Sequence, residues 1–281
     1  MEHISKDIAW CPGCGNFSLL KIMKQVISDM GLAPEKTVMV SGIGQAAKMP
    51  QYLNLNMFNG LHGRALPPAT AIKTVNPELT VLVESGDGDM YGEGGNHLMH
   101  TIRRNPDITV IVHDNMIYGL TKGQASPTSR KGLKTSLQVH GVVNEPFNSL
   151  SFAVAMGASF VAQVSSGNQK HAAEIIKQAI NHKGFSLVNA FQPCVTFNKT
   201  NTYAWFKQHT YQLDEGYNPT DRMAAMEKAF ERENMPLGVI YKNTEKQPYE
   251  EAIYQYADIQ KPIANRTPDT KKVKEMLDSY R

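Results

Sequence analysis

Nothing in the 281 residues suggests a membrane segment, because no window of about 18 uncharged apolar residues occurs. The opening MEHISKDIAWC also lacks the basic-then-apolar pattern of a secretory leader. A soluble, cytoplasmic protein is therefore expected. An excess of one charge is missing too. Lys and Arg number 29 against 26 Asp and Glu, a net +3, and the basic residues are scattered. That balance excludes nucleic acid as a default partner. Internal repeats and low-complexity tracts are absent. Cysteine is scarce: only Cys11, Cys14 and Cys194 occur. An odd number with one CxxC pair excludes a disulfide framework. Metal or redox chemistry is the reading that spacing favours, with a plain reduced thiol pair as the bland alternative.

What is present is alternation. Short β-branched and apolar runs at residues 37–44, 79–88, 108–115, 158–164 and 185–191 read as buried strands. Between them NFSLLKIMKQVISDMG, ALPPATAIKTV, GGNHLMHTIRRN, NSLSFAVAMG and NQKHAAEIIKQAINHKG carry apolar residues at helical spacing. Apolar strands alternating with helices predict an α/β fold, a mostly parallel sheet with helices on both faces. Residues 1–194 form this α/β domain. Residues 195–281, richer in Asn, Tyr, Pro and charge, read as a C-terminal extension packing on the core or on a partner.

In such sheets ligands sit at the carboxyl ends of the strands. Three strands end there in polar, glycine-bearing loops, at residues 41–47, 85–95 and 114–124. In VLVESGDGDMYGEGGNHLMHTIRRN an apolar run stops at Gly86-Asp87-Gly88 and a helix follows at about Tyr91–Asn96. The glycines let the backbone turn and let a ligand approach. The next strand ends at Asp114-Asn115, so Asp87 and Asn115 should meet at one sheet edge. A carboxylate, an amide oxygen and a backbone carbonyl suit Mg²⁺, which takes its other oxygens from phosphates. The helix start suits a diphosphate.

Several lookalikes fail. Counted from Asp87 as an EF-hand loop, the twelfth position is Leu98, where a bidentate Glu is needed. GIGQAA at 42–47 fits a dinucleotide fingerprint, but no acid follows before residue 77 and Pro50 interrupts the helix. His97 and His100 have no third ligand nearby and are left out of the site. A bare turn is the remaining bland reading of Gly-Asp-Gly, and the Asn ending the next strand argues against it.

Together with Gly86-Asp87-Gly88 and Asn115, the words WCPGCG, GIGQAAKMP, GLHGRALP, DNMIYGLTKGQASPTS and QPCVTFN carry a family resemblance. The chain resembles the beta subunit of the 2-oxoacid:ferredoxin oxidoreductases, especially the 2-oxoglutarate (2-oxoglutarate synthase) branch, over nearly its whole length. The resemblance implies the diphosphate-binding half of a thiamine diphosphate enzyme. It implies oxidative decarboxylation of a 2-oxoacid to acyl-CoA and CO₂, with electrons passed to ferredoxin. Asp87, Asn115 and the Ile117 carbonyl would hold Mg²⁺. Ile43, Gly44, Gln45, Ala46, His62, Gly86, Gly88, Asp89, Gly119 and Leu120 would line the cofactor. Lys48 would face the substrate carboxylate, with His62 as its catalytic companion. The glutamate that thiamine enzymes set on the aminopyrimidine ring belongs to a second domain type, so an alpha subunit is implied.

By the same resemblance Cys11, Cys14 and Cys194 match three ligands of the family's [4Fe–4S] cluster. The fourth cysteine of the well-described members stands as Gln45 here, and such a cluster normally takes four thiolates. Three thiolates with a non-thiolate or unfilled fourth site, or no cluster at all, are the outcomes left open. The only three cysteines fall on the three remaining positions, which favours a cluster. Two rivals stay in view: a non-redox thiamine decarboxylase or carboligase half, and a zinc-stabilised binding module using the three cysteines.

Overall fold

The computed structural model describes residues 7–253 and 261–280. In chain order the main elements are α1 (Gly15–Asp29), β1 (Thr37–Ser41), β2 (Asn56–Asn59), α2 (Leu66–Val75), β3 (Thr80–Gly86), α3 (Gly95–Arg104), β4 (Thr109–Asp114), α4 (Ser149–Ala155), β5 (Phe160–Ser165), α5 (Gln169–Asn181) and β6 (Ser186–Phe191). They continue with α6 (Tyr203–Gln208), β7 (Thr210–Gln212), α7 (Arg222–Ala229), β8 (Met235–Lys242), α8 (Tyr249–Ala252) and α9 (Thr270–Asp278). All five strands expected from the apolar runs form, as do the five helices between them.

The strands make one sheet in the order β2-β1-β3-β4-β6-β5-β8-β7. The six strands from β2 to β5 in that order run parallel, while β8 pairs with β5 antiparallel. The stretch beyond residue 195 thus adds two strands to the sheet edge. Because β2 lies on one side of β1 and β3 on the other, the strand order switches direction between β1 and β3. A crevice opens at the carboxyl ends of the strands at such a point.

Apolar runs are continuous because both faces are covered. Val81, Val83, Val110 and Val112 point into a core shared with Leu66, Ala69, Leu98 and Ile102. The intervening Leu82 and Ile111 point the other way, into a core with Leu19, Met23, Val26 and Ile176. Fully burying each such side chain stabilises by roughly 1.5–3 kcal/mol. Helices start where side-chain acceptors meet free N–H groups: Asn148, Asn168, Thr202 and Asp221 each cap their helix. Asn105 ends α3 in the left-handed conformation, φ 60°. No helix among the described residues is long and apolar enough to cross a membrane.

Candidate functional site

Register brings the two predicted strand ends together. Gly86 on β3 lies opposite His113 on β4, so Asp87 and the Asp114-Asn115 pair leave adjacent strands at the same edge. One cavity at this edge is lined by Ile43, Gly44, Gln45, Ala46, His62, Gly86, Asp87, Gly88, Asp89, Asn115, Ile117, Gly119 and Leu120. Glu93, His113, Tyr118, Thr121 and Gln192 complete its wall. Lys48 is not among the lining residues. It is half-buried on the turn after β1, and its Nζ donates to the Ala9 carbonyl at 3.2 Å.

The chain turns into its helix earlier than expected. A wide, π-helical turn over Gly88–Glu93 begins directly after Asp87, and α3 follows from Gly95. Gly88 is required there, because a Cβ would lie 2.2 Å from Tyr118 Cε1. The Tyr118 hydroxyl in turn donates to the Gly88 carbonyl at 3.4 Å and to Glu93 at 3.3 Å. Gly88→Ala should therefore push the ring aside, destabilising the protein by about 1–3 kcal/mol and weakening cofactor binding. Thermal unfolding of the variant checks this, and an unchanged Tm would count against the packing.

Asp87 is only 2% exposed. One of its oxygens accepts from Ser126 Oγ at 2.5 Å and from Thr128 Oγ1 at 2.6 Å. Thr128 Oγ1 also lies 2.9 Å from Asp114, whose other oxygen accepts from Asn189. Burial, and then the neighbouring Asp114 charge, push the Asp87 carboxyl up to about 7. Asp114 is raised as well, chiefly by burial. Two buried acids with neutral partners form a place that a cation would relieve. Asn115 and Ile117 line the same cavity, and the Met116 between them holds φ 57°, a strained conformation that sets the turn. The donor set and the crowded acids fit Mg²⁺.

Asp89 has a different task from its neighbour. Its carboxylate accepts from Gly63 N at 2.7 Å, from Ser85 Oγ at 2.7 Å and from the Ile43 backbone. It so joins three loops, and burial raises its pKa. Its Oδ2 occupies the space where a Cβ on Gly42 would stand, 1.8 Å away. His62 is largely exposed at the mouth, with Nδ1 4.0 Å from Asp89.

The three cysteines come together beside this cavity. Cys11 is exposed, Cys14 half-buried and Cys194 buried, all as free thiols. Cys14 N donates to the Cys11 carbonyl, and Gly15 N to that of Pro193, which docks the CxxC turn on the segment leaving β6. Burial raises the Cys14 thiol, the Asn16 N–H lowers it, and the nearby Cys194 and Cys11 raise it further. Among the described residues no three His, Cys, Asp or Glu are grouped around a single-ion site. A four-iron cluster asks for something else, since each thiolate binds its own iron. Three thiols within each other's field fit that demand. His97 and His100 lie on α3 and join no such group.

Sequence reasoning missed Ser126, Thr128 and Asp114, although Asp114 adjoins Asn115 and SPTS gathers hydroxyls. It also missed a buried chain in which His113 bridges Glu84 at 2.6 Å and Asn16 at 2.8 Å. The signal for that chain was an acid inside the apolar strand VLVESG.

This fold and this site define a thiamine diphosphate-binding enzyme, and residues 37–190 match the family model for the thiamine pyrophosphate enzyme C-terminal TPP binding domain. Residues 194–258 match the model for the C terminal part of the pyruvate ferredoxin oxidoreductase beta subunit. The chain is 43% identical over 258 residues to the 2-oxoacid:ferredoxin oxidoreductase subunit beta of Saccharolobus solfataricus, covering 87% of this chain and 85% of that one. It is 39% identical over 193 residues to the 2-oxoglutarate oxidoreductase subunit KorB of Mycobacterium tuberculosis, covering 69% of this chain and 52% of the relative. A solved 2-oxoglutarate:ferredoxin oxidoreductase from Magnetococcus marinus, with 2-oxoglutarate, coenzyme A and succinyl-CoA bound, superposes with TM-score 0.91 at 35% identity, covering 98% of this chain and 94% of that one. The chain belongs to the beta subunits of the 2-oxoacid:ferredoxin oxidoreductases.

Proposed function

We propose that this subunit serves the coenzyme A-dependent oxidative decarboxylation of 2-oxoglutarate, in the cytoplasm, with electrons leaving through an iron–sulfur cluster to ferredoxin. The observation that carries the reading is the cavity at the Asp87–Asn115 edge, whose Gly119 wall adjoins the Cys194 thiol. Asp87, the Asn115 side chain and the Ile117 carbonyl hold Mg²⁺, and Gly86, Gly88 and Gly119 leave room for the diphosphate. Thiamine diphosphate, when bound, supplies the carbanion chemistry of the decarboxylation. Asp89 fixes the loops that wall the cofactor, and His62 stands at the mouth. Lys48 is assigned to the substrate carboxylate, for which its Nζ must leave the Ala9 carbonyl. Cys11, Cys14 and Cys194 hold the cluster within reach of the site, which a non-redox decarboxylase would not need.

The substrate assignment is supported by the KorB relatives and by the ligands in the Magnetococcus marinus structure. A lysine suits any 2-oxoacid carboxylate and does not select among them. The test is viologen or ferredoxin reduction by the complex co-expressed with its alpha subunit, across a panel of 2-oxoacids with coenzyme A. The highest kcat/KM is expected for 2-oxoglutarate. A higher value for pyruvate would overturn the substrate and keep the chemistry, while CO₂ release without acceptor reduction would return the non-redox reading.

A further inference from the structure

Gln45 does more than line the cavity. Its backbone carbonyl accepts Trp10 Nε1 at 2.9 Å, which fastens the loop after β1 to the residue preceding Cys11. Its side-chain oxygen is buried and has no hydrogen-bond partner. A buried acceptor without a donor costs stability, so such a group calls for an occupant that supplies what is missing. The neighbourhood says what kind. A Cβ on Gly119 would stand 3.8 Å from Gln45 Cγ and equally 3.8 Å from Cys194 Sγ. The Gln45 Cγ and the Cys194 thiol therefore flank one glycine and lie no further apart than twice that distance, with the amide oxygen two bonds beyond Cγ. Cys14 and Cys11 complete the group through the contact of Gly15 with Pro193. Three thiolates satisfy three irons of a four-iron cluster, and one iron is left to bind something else.

We infer that the Gln45 side-chain oxygen is the fourth protein ligand of the cluster held by Cys11, Cys14 and Cys194. The inference rests on the cluster reading proposed above. An oxygen lone pair forms the Fe–O bond in place of water, and no electron changes hands in that step. Two consequences follow from chemistry. An amide is neutral where a thiolate is anionic, so the cluster carries one negative charge fewer and accepts an electron more readily, as clusters do when imidazoles replace thiolates. An amide is also the weaker ligand for iron, which makes this iron the first to leave. The loop that binds the iron is the loop that lines the cofactor cavity, so the easily reduced iron faces the site that releases electrons.

The test uses the native protein, Gln45→Cys, Gln45→Glu and Gln45→Ala, each co-expressed with the alpha subunit and purified without oxygen. Iron and sulfide are counted, and the midpoint potential is read by electron paramagnetic resonance. A brief oxygen pulse follows, in which O₂ takes one electron: [4Fe–4S]²⁺ becomes [3Fe–4S]⁺ with release of Fe²⁺. Gln45→Cys and the isosteric Gln45→Glu, each supplying an anionic ligand, should shift the midpoint downward and slow the appearance of the three-iron signal. Gln45→Ala should lose iron about tenfold faster than the native protein. If Gln45→Ala matched the native protein in midpoint and in iron loss, Gln45 would be no ligand while the cluster stood. A native complex that bound thiamine diphosphate but no iron would overturn the cluster itself, a separate result.

Discussion

Asp87→Ala will abolish thiamine diphosphate binding in Mg²⁺ buffer while the sheet stays folded. Asp87 is the one carboxylate among the three oxygen donors assigned to the metal. Without it, an amide oxygen and a carbonyl oxygen face a divalent cation alone, and the diphosphate has no bridging charge. The fold should tolerate the change because the carboxylate is held at a cost. Burial and Asp114 raise its pKa to about 7. A carboxyl raised in the folded state contributes stability below its ordinary value near 4 and loses it as pH climbs through about 7. The metal-free native protein should accordingly lose Tm between about pH 4 and pH 7, the window of that shift, and Mg²⁺ with cofactor should restore it. The alanine variant should show a flatter pH profile, with Thr128 left free to serve Asp114. Calorimetric titration of cofactor, with thermal melts across that range, measures both. Native-like cofactor affinity in the variant would remove Asp87 from the metal site.

Much of this architecture is readable from the amino acids, and the exceptions have physical reasons. TVMVS, TVLVESG, TVIVHD, FVAQVS and SLVNAF announce themselves because strands buried on both faces need no polar alternation. NMFN is short, fully exposed and edged by Asn, so its hydrogen bonds to β1 leave no apolar trace. MPLGVIYK carries Pro and Gly, which weaken a strand pattern, and its antiparallel pairing with β5 depends on the path taken through α6 and α7. The extension from residue 195 therefore reads as an arm in sequence, while part of it is sheet. At the site, Gly86-Asp87-Gly88 and Asn115 stand out in sequence because the metal and diphosphate proposed there would demand small residues and hard oxygens at two strand ends. Asp89 reads as one more lining acid, and only the contacts show that Gly63, Ser85 and Ile43 consume its oxygens. Lys48 reads in sequence as a cation one turn beyond the loop, and only the fold shows its present partner, the Ala9 carbonyl. Hydroxyls such as Ser126 and Thr128 are too common to stand out until the fold returns them, 39 and 41 positions later, to Asp87.

Cys194→Ala should reduce 2-oxoacid-dependent viologen reduction to background and remove the cluster, without removing thiamine diphosphate. Cys194 is buried, at 9% exposure, and the chain holds it from both sides. Pro193 before it accepts from Gly15, and its own carbonyl accepts from Asn198. Asn198 also donates to the Asn115 carbonyl at 3.1 Å, so the segment bearing the thiol is pinned to the segment bearing Asn115, the proposed metal ligand. Removing this sulfur leaves two thiolates in a turn whose Cys11 is exposed, too few anionic ligands to retain four irons. The electrons of decarboxylation would then have no acceptor next to the cavity. Asp87 and Asn115 are untouched by the change, so cofactor titration should still saturate where the Asp87 variant fails. The two variants thus separate the carbanion half of the site from its electron exit. Iron and sulfide counts, viologen reduction and cofactor titration on the co-expressed complex decide the matter. Native iron content and native reduction rates in Cys194→Ala would mean that the electrons leave by a route in which this thiol has no part.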